Sequence, residues 1–204
     1  MGLIDKLVAI GEGFRSSRGT TKKYTLDEMA VLAGEPVGGG GDEWEEQFIA
    51  AIERDSSNPV TKLPDGVTKI GNNAFYDDKT LALTSLPSGV TEIGNSAFYS
   101  CSNLALTQLP DNLLTIGQHG FYYCTNLDLT FIPPNFERTA SYAFTGCSNL
   151  KTITFRGKPI SISPTTFGSC TNLLTINVPW AEGEVGGAPW GATNATINYN
   201  YTGG

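Results

Sequence analysis

Four cysteines are the residues of this chain whose type most invites chemistry: Cys101, Cys124, Cys147 and Cys170. Thiolates are nucleophiles and metal ligands. Each cysteine follows the last by 23 positions, whereas a zinc site needs close pairs such as C-x-x-C. Three fates stay open for them. They could form a buried ladder of small apolar thiols. They could pair across adjacent copies, although parallel Cβ vectors make poor disulfide geometry. One could be a reactive nucleophile, which burial disfavours by raising the thiol pKa. His119 is the single histidine and precedes Cys124 by five residues. It shares a column with Asn73, Ser96, Tyr142 and Thr165, which reads as exposed, and a Cys–His dyad needs hydrogen-bond reach. No G-x-S-x-G, H-E-x-x-H or G-x-x-x-x-G-K-[ST] string occurs. The glycines at 38–41 lack the lysine of a phosphate loop. Asn194 and Asn200 begin glycosylation-like triplets that read as chance. The chain therefore reads as non-enzymatic, with no catalytic residue, cofactor or metal ligand.

A second set of side chains suits binding. Tyr76, Tyr99 and Tyr122 each follow a phenylalanine, and Tyr123 and Tyr142 lie in neighbouring columns. An outward ridge of tyrosines could bind protein or glycan, because each ring offers much contact area at low entropy cost. The alternative is that the rings pack on each other only to shield a turn. Trp180 and Trp190 pose a similar choice, between covering the last rung and forming an exposed sugar platform.

The elements that must position these residues are set by an internal repeat. Leu63, Leu86, Leu109, Ile132, Phe155 and Val178 are each 23 residues apart. The same step links Phe75, Phe98, Phe121, Phe144 and Phe167, and also Leu81, Leu104, Leu127, Leu150 and Leu173. Asn103, Asn126, Asn149 and Asn172 form another column, with Thr80 first, and Asp78 heads the cysteine column. Such a unit cannot bury its apolar anchors alone, so the copies must stack into a solenoid. Stacking spaces equivalent residues by roughly 4.7–4.9 Å if rungs pair as strands. Pro64, Pro87, Pro110 and Pro133 lack an N–H and should mark strand ends. Segments 67–70, 90–93 and 113–116 form a second extended side. Ala74-Phe75 and its copies begin a tight turn or short helix, and the asparagines satisfy backbone groups. The expected architecture is a repeat solenoid of five turns over 57–179.

The pattern L-P-x-G-V-T-x-I-G-x-x-A-F-Y-x-C-x-N-L, seen from Leu86 to Leu104, resembles the BspA-type leucine-rich repeat. The resemblance implies a right-handed coil with one short strand per turn, α+β in class. It also implies bacterial or phage-associated adhesion proteins. The fourth and fifth copies depart from the pattern, at 134–139 and 157–160, so their second side is left open.

The ends differ from the middle. Residues 1–56 hold 6 Lys/Arg and 11 Asp/Glu, the 57–179 stretch is neutral with 7 of each, and 180–204 holds two acids. With a net charge of −7 the chain is a poor nucleic-acid binder. No apolar run approaches the ~18–20 residues of a membrane span. The opening segment has a four-residue apolar run at 7–10 with acids around it, which does not read as a secretion signal. Residues 1–37 read as a helical leader, with a capping box at 25–28, and 38–42 as a glycine linker. Trp44, Phe48, Ile49 and Ile52 share one helical face, so 43–56 reads as an N-terminal cap whose helix spans 43–54. Residues 180–204 read as a C-terminal aromatic and strand cap. The leader, with Leu3, Ile4, Leu7, Val8, Leu26 and Met29, resembles short helical leaders of phage tail and fibre proteins. That resemblance implies docking on other virion proteins, with the repeats meeting a bacterial surface protein or glycan. The leader could also self-associate into a homo-oligomer. The expected function is a virion structural or fibre-type protein. The alternative is a bacterial surface or secreted adhesin that binds host proteins, which the absence of a secretion signal or wall anchor disfavours.

Overall fold

The computed structural model describes residues 48–49, 60–63 and 66–203. The chain coils with two parallel sheets. The first contains β1 (Phe48–Ile49), β2 (Lys69–Ile70), β3 (Glu92–Ile93), β4 (Thr115–Ile116) and β6 (Arg138–Thr139). The second contains β5 (Phe131–Ile132), β7 (Thr152–Phe155), β8 (Thr175–Asn177) and β9 (Thr196–Asn198). The register repeats the sequence: Lys69 faces Glu92, Glu92 faces Thr115, and Thr115 faces Arg138. The second extended side is thus where the sequence placed it, and it persists into the fourth copy. In the fifth it dwindles to one bridge, Arg138 to Ser161.

The proline column bounds the second sheet, where β5 ends at Ile132 directly before Pro133. Pro87, Pro110 and Pro133 have no N–H to give the preceding turn. The next position in that column is Arg156, whose N–H donates to Ile132 O at 3.0 Å. β7 runs to four residues, with Thr152 and Ile153 paired to Thr175 and Ile176 of β8. The turn holding β5 and β6 carries a strand on each side, so one strand per turn does not describe the whole coil.

No α-helix occurs among the described residues. The helix expected over 43–54 is corrected at Phe48–Ile49, which form β1 and pair in parallel with β2. A strand there satisfies the open edge of β2, whose N–H and C=O groups a helix would leave unpaired. The rest of that cap, the 38–42 linker and the 1–37 leader with Leu3, Ile4, Leu7, Val8, Leu26 and Met29 lie outside the described residues. Residues 180–204 add a rung of their own. Trp190 continues the phenylalanine column, Phe167 N donates to its carbonyl at 2.8 Å, and β9 pairs with β8. Both indoles are buried, which excludes the exposed sugar platform at Trp180 and Trp190.

Inside, Phe75, Phe98, Phe121, Phe144 and Phe167 form one column of stacked rings. Successive centroids lie 5.1, 5.0, 5.3 and 5.6 Å apart. The leucine and isoleucine columns pack beside them. One exchange shows how tightly the columns fit. Thr139 replaces an isoleucine and Thr166 replaces an alanine, and their hydroxyls meet at 2.6 Å. Thr166 Oγ1 also reaches Ser163 O, and Ser163 N donates to Thr139 Oγ1, so the buried polar pair is satisfied.

Phe121→Ala removes a ring sandwiched between two others and should cost about 3–5 kcal/mol. Urea unfolding of the full chain measures it. A loss under about 1 kcal/mol would place that column outside the core.

Candidate functional site

The tyrosines sit on the turn that follows each strand of the first sheet. In this turn backbone N–H groups alternate between two acceptors. Ala74, Tyr76 and Asp78 donate backward to Gly71, Asn73 and Phe75. Asn73, Phe75 and Asp77 donate forward to Asn95, Ala97 and Tyr99 of the next copy. The alternation places two left-handed residues in each of the first four copies and one in the fifth. Asn73, Ser96, His119 and Tyr142 fill the first position with φ of 56°, 52°, 57° and 61°. Asp77, Ser100, Tyr123, Gly146 and Ser169 fill the second with φ of 56°, 57°, 55°, 76° and 56°.

All five expected site tyrosines come together on this surface. Tyr76 stacks on Tyr99 at 4.6 Å, and Tyr99 stacks on Tyr122 at 4.9 Å. Tyr123 leans on Tyr122 at 4.6 Å with planes 57° apart. His119 joins them, which the sequence reading missed. It stacks on Tyr142 at 5.3 Å and meets Tyr122 edge-on at 5.0 Å. The signal was available, because His119 and Tyr142 share one column. Tyr76, Tyr123 and Tyr142 are exposed, at 51%, 46% and 41%, while Tyr99, Tyr122 and His119 are half-buried. Tyr76, Tyr99 and Tyr122 stack face to face, while Tyr123 and Tyr142 each pack on a neighbouring ring and keep part of their surface in solvent. Partial burial raises the Tyr122 phenol above its ordinary value, with smaller contributions from Tyr123, Tyr99 and Tyr142. At the ridge's edge Lys79 pairs with Asp77 at 2.8 Å and holds that carboxyl below its usual value. Lys79 also donates to the hydroxyl and carbonyl of Ser100 in the next copy.

The cysteines form the buried ladder and no disulfide. Each thiol donates to the carbonyl of the phenylalanine in the preceding copy. The distances are 2.8 Å from Cys101 to Phe75, 2.9 Å from Cys124 to Phe98, 3.1 Å from Cys147 to Phe121 and 3.0 Å from Cys170 to Phe144. In the first copy Asp78 takes the thiol's column and accepts from Thr80 N, Thr80 Oγ1 and Leu81 N. Burial drives the Cys124 and Cys147 thiols well above their ordinary pKa and pushes Cys170 up to about 12. A thiol so held is a poor nucleophile. Among the described residues no group of three His, Cys, Asp or Glu could hold a metal ion. A shallow groove beside β3 and β4 has its carboxamides engaged: Asn95 N donates to Asn72 Oδ1, and Gln118 N to Asn95 Oδ1.

Residues 56–182 match the family described as BspA type leucine rich repeat region, in six copies against the five expected. Among solved structures, a leucine rich repeat protein of T. pallidum is similar at 28% identity with a TM-score of 0.53. The match covers 70% of this chain and 68% of that one. The pneumococcal vaccine antigen PcpA shares the fold at 18% identity and a TM-score of 0.52, over 76% of this chain and 44% of its own. No curated protein sequence matches the chain.

The thiol shifts give stability a pH dependence. A folded-state pKa raised above the unfolded ~8.5 contributes stability that is whole below that value. It is lost as pH climbs from about 8.5 toward about 12. The urea midpoint should fall through that alkaline window, and Cys170→Ala should flatten the fall relative to the unmodified chain. An unchanged pH slope in that variant would show that the ladder does not carry the effect.

Proposed function

Since this chain belongs to the BspA-type leucine-rich repeat family, we propose that its coil is a non-enzymatic recognition module. Its contact surface is the ridge of Tyr76, Tyr99, Tyr122, Tyr123 and Tyr142, with His119 among them. One observation carries this reading. Tyr123 and Tyr142 place large rings at left-handed backbone positions. A non-glycine residue there costs about 1–2 kcal/mol, and glycine, asparagine, aspartate and histidine bear it best. Elsewhere those positions hold Asn73, Ser96, Asp77, Ser100, Gly146 and Ser169. Folding alone favours such small or polar residues, so the rings serve something outside the fold. The partner is a protein or glycan of a bacterial surface.

In the first reading of how the module is carried, the leader holds it on a phage particle, docked to other virion proteins. Its support is the resemblance of Leu3, Ile4, Leu7, Val8, Leu26 and Met29 to phage leaders. The second reading is display on a bacterial surface with host proteins as partners, supported by the family match, whose resemblance implies bacterial adhesion proteins. Mass spectrometry of purified particles beside cell-wall fractions separates the two.

Replacing Tyr76, Tyr123 and Tyr142 together by alanine should abolish attachment of the purified chain to target bacteria. The melting temperature should stay within a few degrees, since surface changes usually shift stability by under about 0.5 kcal/mol. Retained attachment with a large drop in melting temperature would mean that the rings serve the fold.

A further inference from the structure

The ridge carries enough detail to name its ligand. The position a Cβ would take on Gly146 lies 3.0 Å from Tyr123 Cγ and Cδ2 and 3.1 Å from Cε2. Three adjacent ring atoms at nearly equal distance mean that the Tyr123 ring lies face-down on the Gly146 backbone. Every other residue of that column has a side chain there: Asp77, Ser100, Tyr123 and Ser169. Gly146 is therefore the seat of one aromatic ring. Tyr123 nevertheless keeps 46% of its surface in solvent, with Tyr122 tilted against it. Tyr142 likewise gives one face to His119, with planes 7° apart, and is exposed beyond it. Tyr99 lies between Tyr76 and Tyr122, and Tyr76 and Tyr122 each give it one face.

Two flat ring faces, a half-buried imidazole and a row of phenol hydroxyls make an amphipathic platform. It matches a pyranose, which has an apolar C–H face and a rim of hydroxyls. The charges at its edge, Asp77 and Lys79, neutralise each other at 2.8 Å. An ionic ligand gains little from such a pair. The rings also stand on clamped backbone. His119 N donates to Ser141 O at 3.0 Å, and Tyr123 N donates to Thr145 O at 2.8 Å. The platform is thus set before a ligand arrives, which lowers the ordering cost of binding.

We infer that the ridge is a binding site for a neutral oligosaccharide, which stacks on Tyr123 and Tyr142 with Gly146 positioning the first ring. This rests on the recognition reading above and names its ligand class. A glycan array of neutral and acidic glycans, probed with the full chain, tests it. Attachment to target bacteria is measured in parallel. The expected result is capture by a set of neutral glycans, insensitive to added salt. Tyr123→Ala and Tyr142→Ala should each weaken it about fivefold to tenfold, as expected for the loss of one stacking partner. Gly146→Ala should weaken it too while Tyr123→Phe retains most of it, because the face matters more than the hydroxyl. Tyr201→Ala, an exposed tyrosine outside the ridge, should leave it unchanged. Capture by acidic glycans alone, or by none, overturns the saccharide inference. If the tyrosine variants still lose attachment to bacteria, the recognition reading stands with a protein as partner. If attachment survives in them, both fail.

Discussion

Each turn of this coil must hand its hydrogen bonds to the next at one fixed register. On the strand side N–H groups reach back one copy, as Gly94 does to Ile70 O at 2.8 Å. On the turn side they reach forward, as Phe98 does to Gly120 O at 2.8 Å. The cysteine thiols close the accounting by taking the phenylalanine carbonyls. An inserted or deleted residue would break all of these bonds together and turn the apolar columns out of line. The strict 23-residue period is the trace of that constraint in the sequence. Buried polar groups left unpaired would each cost about 1–3 kcal/mol.

The constraint separates stability from surface chemistry. Phenylalanine, leucine and cysteine columns face inward and hardly vary. The two left-handed positions face outward and tolerate anything that bears the backbone. The first two copies use asparagine, aspartate or serine there, and the fifth keeps Ser169. The third and fourth copies spend those positions on His119, Tyr123 and Tyr142. Gly146 gives way to let one ring lie flat. Because the backbone beneath is bonded between copies, these rings inherit the precision of the core. Variation confined to a rigid outer face is how repeat proteins acquire binding surfaces without a new fold.

Much of this was legible in the residues. The period gave the solenoid, the inward columns, the thiol ladder and the second extended side, since all of these recur in most copies. What escaped depends on single departures from the repeat. Phe48 and Ile49 carry a helical pattern yet form a strand, because the open edge of β2 outweighs a weak local preference. Trp190 lies in the phenylalanine column, but its tryptophan identity and the altered sequence around it suggested a cap. Arg156 adds a bond to Ile132 O only because it is not proline, a difference of one N–H. Left-handed φ leaves no mark when serine, histidine and tyrosine occupy the position in place of glycine. His119 was set aside as a lone exposed histidine, although its column neighbour Tyr142 already belonged to the ridge.

The aromatic ridge stands on backbone as firmly held as the core. Amide hydrogen exchange of the full chain measures this directly. The His119 and Tyr123 amides, bonded to Ser141 O and Thr145 O, should exchange as slowly as those of Phe98 and Phe121, through global unfolding alone. If they exchange by fast local opening while the phenylalanine amides remain protected, the ridge is a loose loop surface, and the account of a pre-set platform is wrong.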